Sequence, residues 1–125
     1  MEQPRQPGRR ALRRAFRARR RALTRAEQRR ARDRLAAVVG KVPAFRRARH
    51  VAIYRPEDGE IDPAGIADRA LAMGKTVMLP VVTPVRGLDN RLRFAPWTPA
   101  APLARNRFGI EEPWPHRRTF APWMP

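Results

Sequence analysis

Four carboxylates, Glu57, Asp58, Glu60 and Asp62, fall within one short segment, Arg55-Pro56-Glu57-Asp58-Gly59-Glu60-Ile61-Asp62. A carboxylate in such a turn can accept hydrogen bonds from the amino and ring N–H groups of a heterocycle. Helix capping competes for the same residue types, because acidic groups are favoured just ahead of a helix N-terminus. Asp62 directly precedes Pro63 and suits the N-cap, with Pro63 at the first helical position. Glu60 is then the carboxylate expected to face a ligand. A second constellation is cationic. Arg9, Arg13, Arg17 and Arg20 recur every three or four residues and lie on one helix face. Guanidinium groups held this way can grip a di- or triphosphate bidentately. The same spacing also fits a solvated Arg face on a helix docked by Leu12 and Phe16, or an Arg-rich leader.

The inventory excludes several chemistries. The chain has no Cys and no Ser, which removes disulfides, thiol nucleophiles, Cys-ligated zinc and Ser-based hydrolysis together. Two histidines, His50 and His116, cannot build a His-rich metal site. The seven glycines are scattered, so neither a dinucleotide fingerprint nor a P-loop is present. No metal ligand and no catalytic side chain is assigned from these patterns.

The elements that must position the two constellations are legible in outline. Met1–Gly8, with Pro4, Pro7 and Gly8, reads as a disordered lead-in. Arg9 to Val39 has helix-forming composition without internal Gly or Pro. Thr24 with Glu27 forms a capping-box pattern that divides it into two helices. Gly40 reads as a residue just past the helix end, and Pro43 as a stop. His50-Val51-Ala52-Ile53-Tyr54 predicts a buried strand. Ile66, Ala67, Ala70 and Leu71 form the apolar stripe of a helix that Gly74 ends. Thr76 to Val82 predicts a second buried strand. Strand, helix and strand in that order imply a βαβ unit with parallel strands, and ligands of such sheets bind beyond the carboxyl ends. Those ends are Arg55–Glu60 and the region after Pro80. Leu92-Arg93-Phe94-Ala95 predicts a short third strand. Seven of the 14 prolines lie in residues 96–125 together with Trp97, Trp114 and Trp123, so this part reads as irregular.

With 125 residues, 42% of them hydrophobic, the chain can form one core. No apolar stretch approaches the ~20 residues that span a bilayer. The formal net charge of +17 is not spread evenly. Residues 1–50 carry 18 Lys and Arg against 3 Asp and Glu, and residues 51–125 carry 10 against 8. The N-terminal segment should therefore attract polyanions. Its richness in Arg, with only Lys41 and Lys75 as lysines, also fits a GC-rich coding sequence.

Taken in order, these pieces resemble the 5-formyltetrahydrofolate cyclo-ligase (methenyltetrahydrofolate synthetase) family. The opening basic motif is Arg9-Arg10-Ala11-Leu12-Arg13, followed by Arg20-Arg21-Ala22-Leu23-Thr24 and Glu27. The buried strand and its turn are Val51-Ala52-Ile53-Tyr54 and Asp58-Gly59-Glu60-Ile61-Asp62. Gly74-Lys75, Leu79-Pro80-Val81 and Gly109-Ile110-Glu111-Glu112-Pro113 complete the series. Each motif is short, and five in the right order make the resemblance specific. It implies an α/β fold: basic helices ahead of a βαβ unit in a parallel or mixed sheet, belonging to an incomplete three-layer domain. The domain part would run over residues 9–113, with 114–125 as a Pro/Trp tail.

The resemblance further implies ATP-dependent closure of 5-formyltetrahydrofolate to 5,10-methenyltetrahydrofolate with Mg²⁺, in a cytoplasmic monomer with small-molecule partners and no membrane partner. Arg9, Arg10, Ala11, Leu12 and Arg13 would contact the ATP phosphates, and Arg55 and Glu60 the folate. The family's Gly-rich phosphate loop is not found up to Pro125. The 125-residue chain alone is accordingly expected to be marginally folded, with little or no cyclo-ligase activity. The alternative is a small basic nucleic-acid-binding protein acting through residues 1–50.

Overall fold

The computed structural model describes residues 5–85, 88–114 and 119. Three helices come first: α1 (Arg9–Arg21), α2 (Arg25–Val39) and the short α3 (Pro43–Arg47). They are followed by β1 (His50–Ala52), α4 (Ala64–Ala72), β2 (Thr76–Val85), β3 (Leu88–Pro96), β4 (Leu103–Arg105) and β5 (Glu111–Pro113). The break at Thr24 takes the expected form. The Thr24 hydroxyl accepts from the Glu27 amide at 3.1 Å, and the Glu27 carboxylate accepts in return from the Thr24 amide at 3.4 Å. Helix α2 ends at Val39, ahead of Pro43, which also opens the next helix. Pro43 occupies the first turn of α3, where its missing N–H costs nothing. Gly40 has ordinary helical torsions, so its value is room: a Cβ there would meet the Arg69 guanidinium at 2.9 Å.

The main sheet has the order β1-β2-β3. The β1–β2 pair is parallel, with Val51 opposite Val77, and α4 is the crossover between them. Strand β1 is shorter than the expected His50–Tyr54, though the Ile53 amide still donates to the Met78 carbonyl at 2.9 Å. The β2–β3 pair is a long antiparallel hairpin in which Leu79 faces Ala95 and Val81 faces Arg93. Both strands extend past the expected Thr76–Val82 and Leu92–Ala95, because pairing continues to Thr83 opposite Arg91 and resumes, after an irregularity, at Val85 opposite Leu88.

The Pro-rich region is not wholly irregular: β4 and β5 form a two-stranded antiparallel sheet. Its tip is tied by Asn106, whose Oδ1 accepts from the Phe108 and Ile110 amides at 2.9 and 3.2 Å. Trp97 packs on the core and Trp114 is exposed, while Trp123 and His116 lie outside the described residues.

The core is built on β2. Val77, Leu79 and Val81 are fully buried, with Phe45, Ile53, Ala67 and Ala70 around them. Helix α2 closes on α4 at very short range, since a Cβ on Gly65 would lie 2.9 Å from the Ala36 Cβ. Arg32 and Asp68 pair across the same two helices at 3.2 Å. Helix α1 takes no part in this core. It buries no residue, and Leu12 and Phe16, the expected docking residues, are 41% and 62% exposed.

Pro80 sits mid-strand for a geometric reason. Backbone groups alternate sides along a strand. Met78 faces β1, so Pro80 and Val82 face the same side, beyond the point where β1 has ended. A missing N–H at Pro80 is harmless there. The Val82 N–H still needs an acceptor, and the Glu112 carboxylate supplies it at 3.1 Å.

Candidate functional site

The four carboxylates of the turn divide into separate tasks. Asp62 accepts from the Ala64 amide at 2.9 Å and so caps α4, which starts one residue later than expected, with Pro63 at the cap position. Glu60 folds back on its own turn. Its Oε1 accepts from the Glu57 amide at 3.0 Å, and its amide donates to the Glu57 carbonyl at 3.0 Å. The second carboxylate oxygen of Glu60 has no protein donor among the described residues, which leaves acceptor capacity for an N–H donor. Glu57 itself is exposed.

Asp58 binds α1 to the turn. Its carboxylate receives Arg20 Nη2 at 3.0 Å, the Arg21 Nε–H, and Arg17 Nε at 3.4 Å, while Arg20 Nε donates to its carbonyl at 2.7 Å. The Arg21 hydrogen bond, with that of Arg20, holds the Asp58 carboxyl below the usual carboxylate range against a smaller opposing effect of desolvation. The backbone is shaped for the contact. Asp58 and Gly59 have φ of 52° and 75°, and a Cβ on Gly59 would lie 2.9 Å from the Arg20 carbonyl oxygen. Glycine is therefore required at 59 on two counts. Tyr54 closes the loop, its hydroxyl donating to the Ile61 carbonyl at 2.6 Å. Burial, and then the negative charges of Glu60 and Asp62, push the Tyr54 phenol up.

Of the four arginines expected on one face, Arg17 and Arg20 are thus spent on Asp58. Arg9 and Arg13 are exposed and make no ion pair among the described residues. They flank the first turn of α1, whose opening amides lack helical acceptors and whose N-cap, Gly8, offers no side chain. Cations beside an open helix N-terminus suit phosphate oxygens. Ala11 is half-buried and Leu12 is 41% exposed, and neither side chain carries a hydrogen-bonding group. From Arg9–Arg13 to Arg20 is roughly 10–16 Å along the axis. The Arg9–Arg13 group therefore lies at the other end of α1 from the Asp58 clamp that holds the Glu60 turn.

Arg55 faces a group to which the sequence assigned no role. Its Nη2 pairs with Glu111 Oε2 at 2.9 Å, and Arg105 approaches Glu111 Oε1 at 3.8 Å. Arg55, Pro56, Glu57, Arg105 and Glu111 line a cavity of about 100 Å³ beside the turn. The signal was the segment Gly109-Ile110-Glu111-Glu112-Pro113: its first Glu reaches the turn, and its second, 8% exposed, closes the edge of β2. Among the described residues no group of three or more His, Cys, Asp or Glu could hold a metal ion. No described helix is long and apolar enough to cross a membrane.

A basic helix clamped to an acid-bearing turn at the carboxyl end of a parallel strand defines a mixed α/β protein of the kind that binds small ligands beyond its strand ends. Residues 5–122 match the model of the 5-formyltetrahydrofolate cyclo-ligase family, and the chain belongs to that family. It is 34% identical over 98 residues to the 5-formyltetrahydrofolate cyclo-ligase of Escherichia coli K12, an alignment covering 78% of this chain and 53% of the relative. It is 35% identical over 68 residues to the Haemophilus influenzae enzyme of the same name, covering 54% and 35%.

The solution structure of Aquifex aeolicus 5,10-methenyltetrahydrofolate synthetase superposes with a TM-score of 0.69 at 28% identity, over 86% of this chain and 53% of that one. The Mycoplasma pneumoniae 5,10-methenyltetrahydrofolate synthetase shares the fold, with a TM-score of 0.56 at 19% identity over 70% of this chain and 52% of that one. The chain spans about half the length of the E. coli relative and of both solved structures, and about a third of the H. influenzae one.

Proposed function

We propose that the chain acts in the ATP-dependent conversion of 5-formyltetrahydrofolate to 5,10-methenyltetrahydrofolate. The observation that carries this reading is the Asp58 clamp, which makes one unit of the basic helix and the Glu60 turn. In this reading residues 9–113 are the N-terminal part of a cytoplasmic, monomeric α/β enzyme. Arg9, Arg10 and Arg13, with the open amides of α1, bind the triphosphate through charge-assisted hydrogen bonds. The free oxygen of Glu60 accepts from ring N–H groups of the folate, and Arg55 holds an anionic part of the same ligand.

The formyl oxygen attacks the γ-phosphorus and ADP leaves. The folate N10 then attacks the activated carbon and releases its proton to water, and phosphate departs with the former formyl oxygen as the ring closes. Positioning and charge neutralisation are what a protein contributes to such a phosphoryl transfer. Mg²⁺, which the family implies, finds no carboxylate cluster among the described residues, so no step here is routed through it.

Because the chain spans about half of its relatives, binding is the test rather than turnover. Calorimetry on the 125-residue chain should register ATP and 5-formyltetrahydrofolate. Arg13→Ala should weaken ATP about tenfold and leave folate unchanged, and Glu60→Ala should do the reverse, as expected for one charge-assisted contact each. Equal effects of both variants on both ligands would sink this division of roles.

A further inference from the structure

The strands' opposite end carries a second concentration of cations that the folate reading does not use. Arg46 and Arg47 at the end of α3, Arg49, His50 at the start of β1, and Gly74 and Lys75 just before β2 surround a cleft of about 490 Å³. That volume lies within the range of small-molecule sites. No carboxylate is among its lining residues, and Arg46, Arg47 and Arg49 are exposed and without an ion pair among the described residues.

The walls are fixed rather than loose. Lys75 Nζ donates to the Arg46 and Ala48 carbonyls at 2.8 and 2.5 Å and lies 5.4 Å from the Phe45 ring centroid. The Thr76 amide donates to the Arg49 carbonyl at 2.9 Å, and the Ala48 amide to Ala44 at 3.0 Å. Lys75 thereby neutralises the carbonyls that would repel an anion, while three guanidinium forks stay available around a rigid floor. Guanidinium matches phosphate bidentately, and four positive charges with no counter-charge call for a multiply charged ligand.

We propose that this cleft, at the amino ends of β1 and β2, binds a small anion carrying a diphosphate, separately from the turn at their carboxyl ends. The shared chemistry is two linked phosphates. They belong either to inorganic pyrophosphate or to a nucleoside diphosphate.

His50 makes the test direct, because the chain has only two histidines and His50 lines the cleft. With His116→Gln as background, the single imidazole resonance is followed while pyrophosphate or ADP is titrated into the 125-residue chain. A saturable shift is expected. The double variant Arg46→Gln/Arg49→Gln should weaken it by about tenfold or more, as loss of charge-assisted hydrogen bonds requires. Arg13→Ala, on α1, should leave it unchanged. Tighter binding of ADP identifies a nucleotide, and equal or tighter binding of pyrophosphate identifies the inorganic ion. The proposal is overturned by three outcomes: no saturable shift, a shift that survives the double variant with circular dichroism unchanged, or a shift that Arg13→Ala abolishes.

Discussion

Replacing Glu112 by Ala tests how the structure closes the side of β2 that β1 leaves uncovered. Glu112 Oε2 accepts from the Val82 amide at 3.1 Å and from Asn106 Nδ2 at 3.2 Å, in a residue only 8% exposed. Strand β1 ends at Ala52, opposite Met78, so no strand can take over the Val82 N–H. A buried donor left without an acceptor costs about 1–3 kcal/mol. Asn106 is half-buried and keeps its own Oδ1 bonds, so its freed amide can turn to water and adds about 0.5 kcal/mol.

The sum is about 1.5–3.5 kcal/mol, or a fall in Tm of about 6–14 °C for a domain of this size. Glu112→Gln retains an acceptor oxygen at the same place and should cost under about 1 kcal/mol. Guanidinium unfolding followed by tryptophan fluorescence measures both. The reasoning is refuted if Ala costs less than about 0.5 kcal/mol, or if Gln costs as much as Ala.

Tyr54 is the chain's one tyrosine, so an ultraviolet phenol titration reports it alone. Its midpoint should lie above the ordinary value of about 10, and Glu60→Gln should lower it. Because the folded phenol is the weaker acid, the associated stability is present below pH ~10 and lost as pH rises through the folded value. Asp58 works in the opposite sense: its carboxyl is held down in the folded state, so the clamp is intact above the usual carboxylate range near 4 and released as pH falls through the lowered value. Asp58→Asn, which tolerates the positive φ, should lower the exchange protection of α1 amides at neutral pH to the level they show in acid. Gly65→Val should cost about 1–3 kcal/mol by overpacking against Ala36, with partial rescue by Ala36→Gly, in chemical unfolding. Leu79→Ala should cost about 2–5 kcal/mol, and Phe16→Ala less than about 0.5 kcal/mol, in the same assay.

The βαβ unit was legible because its apolar runs are continuous and its helix is bracketed by Asp62 and Gly74. The break at Thr24 was legible because a capping box is written in neighbouring residues. The β4–β5 pair was not, since its register depends on Asn106 bonding across a loop and its strands are three residues each. Neither was the length of the β2–β3 hairpin, where pairing resumes at Val85 and Leu88 past the turn-forming types of Pro84, Asp89 and Asn90. At the site, residue types identified the acidic turn and the basic helix correctly as features but could not divide their labour. Which of Glu57, Asp58, Glu60 and Asp62 meets an arginine, a helix end or its own backbone is decided by long-range docking, as is the pairing of Arg55 with Glu111. The four-arginine face likewise reads as uniform in sequence, and only the position of Asp58 splits it into a pair that clamps and a pair that stays open.

Helix α1 contributes nothing to the apolar core and is moored chiefly through one exposed aspartate near its last turn. Its opening and that of the sheet are therefore separate events with separate free energies, and amides of α1 should exchange long before those of β2. An anion that requires the helix in place must first supply the cost of ordering it, which weakens its apparent grip. A ligand at the Glu60 turn that steadies Asp58 would lessen that cost, and by reciprocity the anion would strengthen the turn's ligand by the same factor. Cooperativity between the two ends of a single helix then needs no movement of the sheet at all.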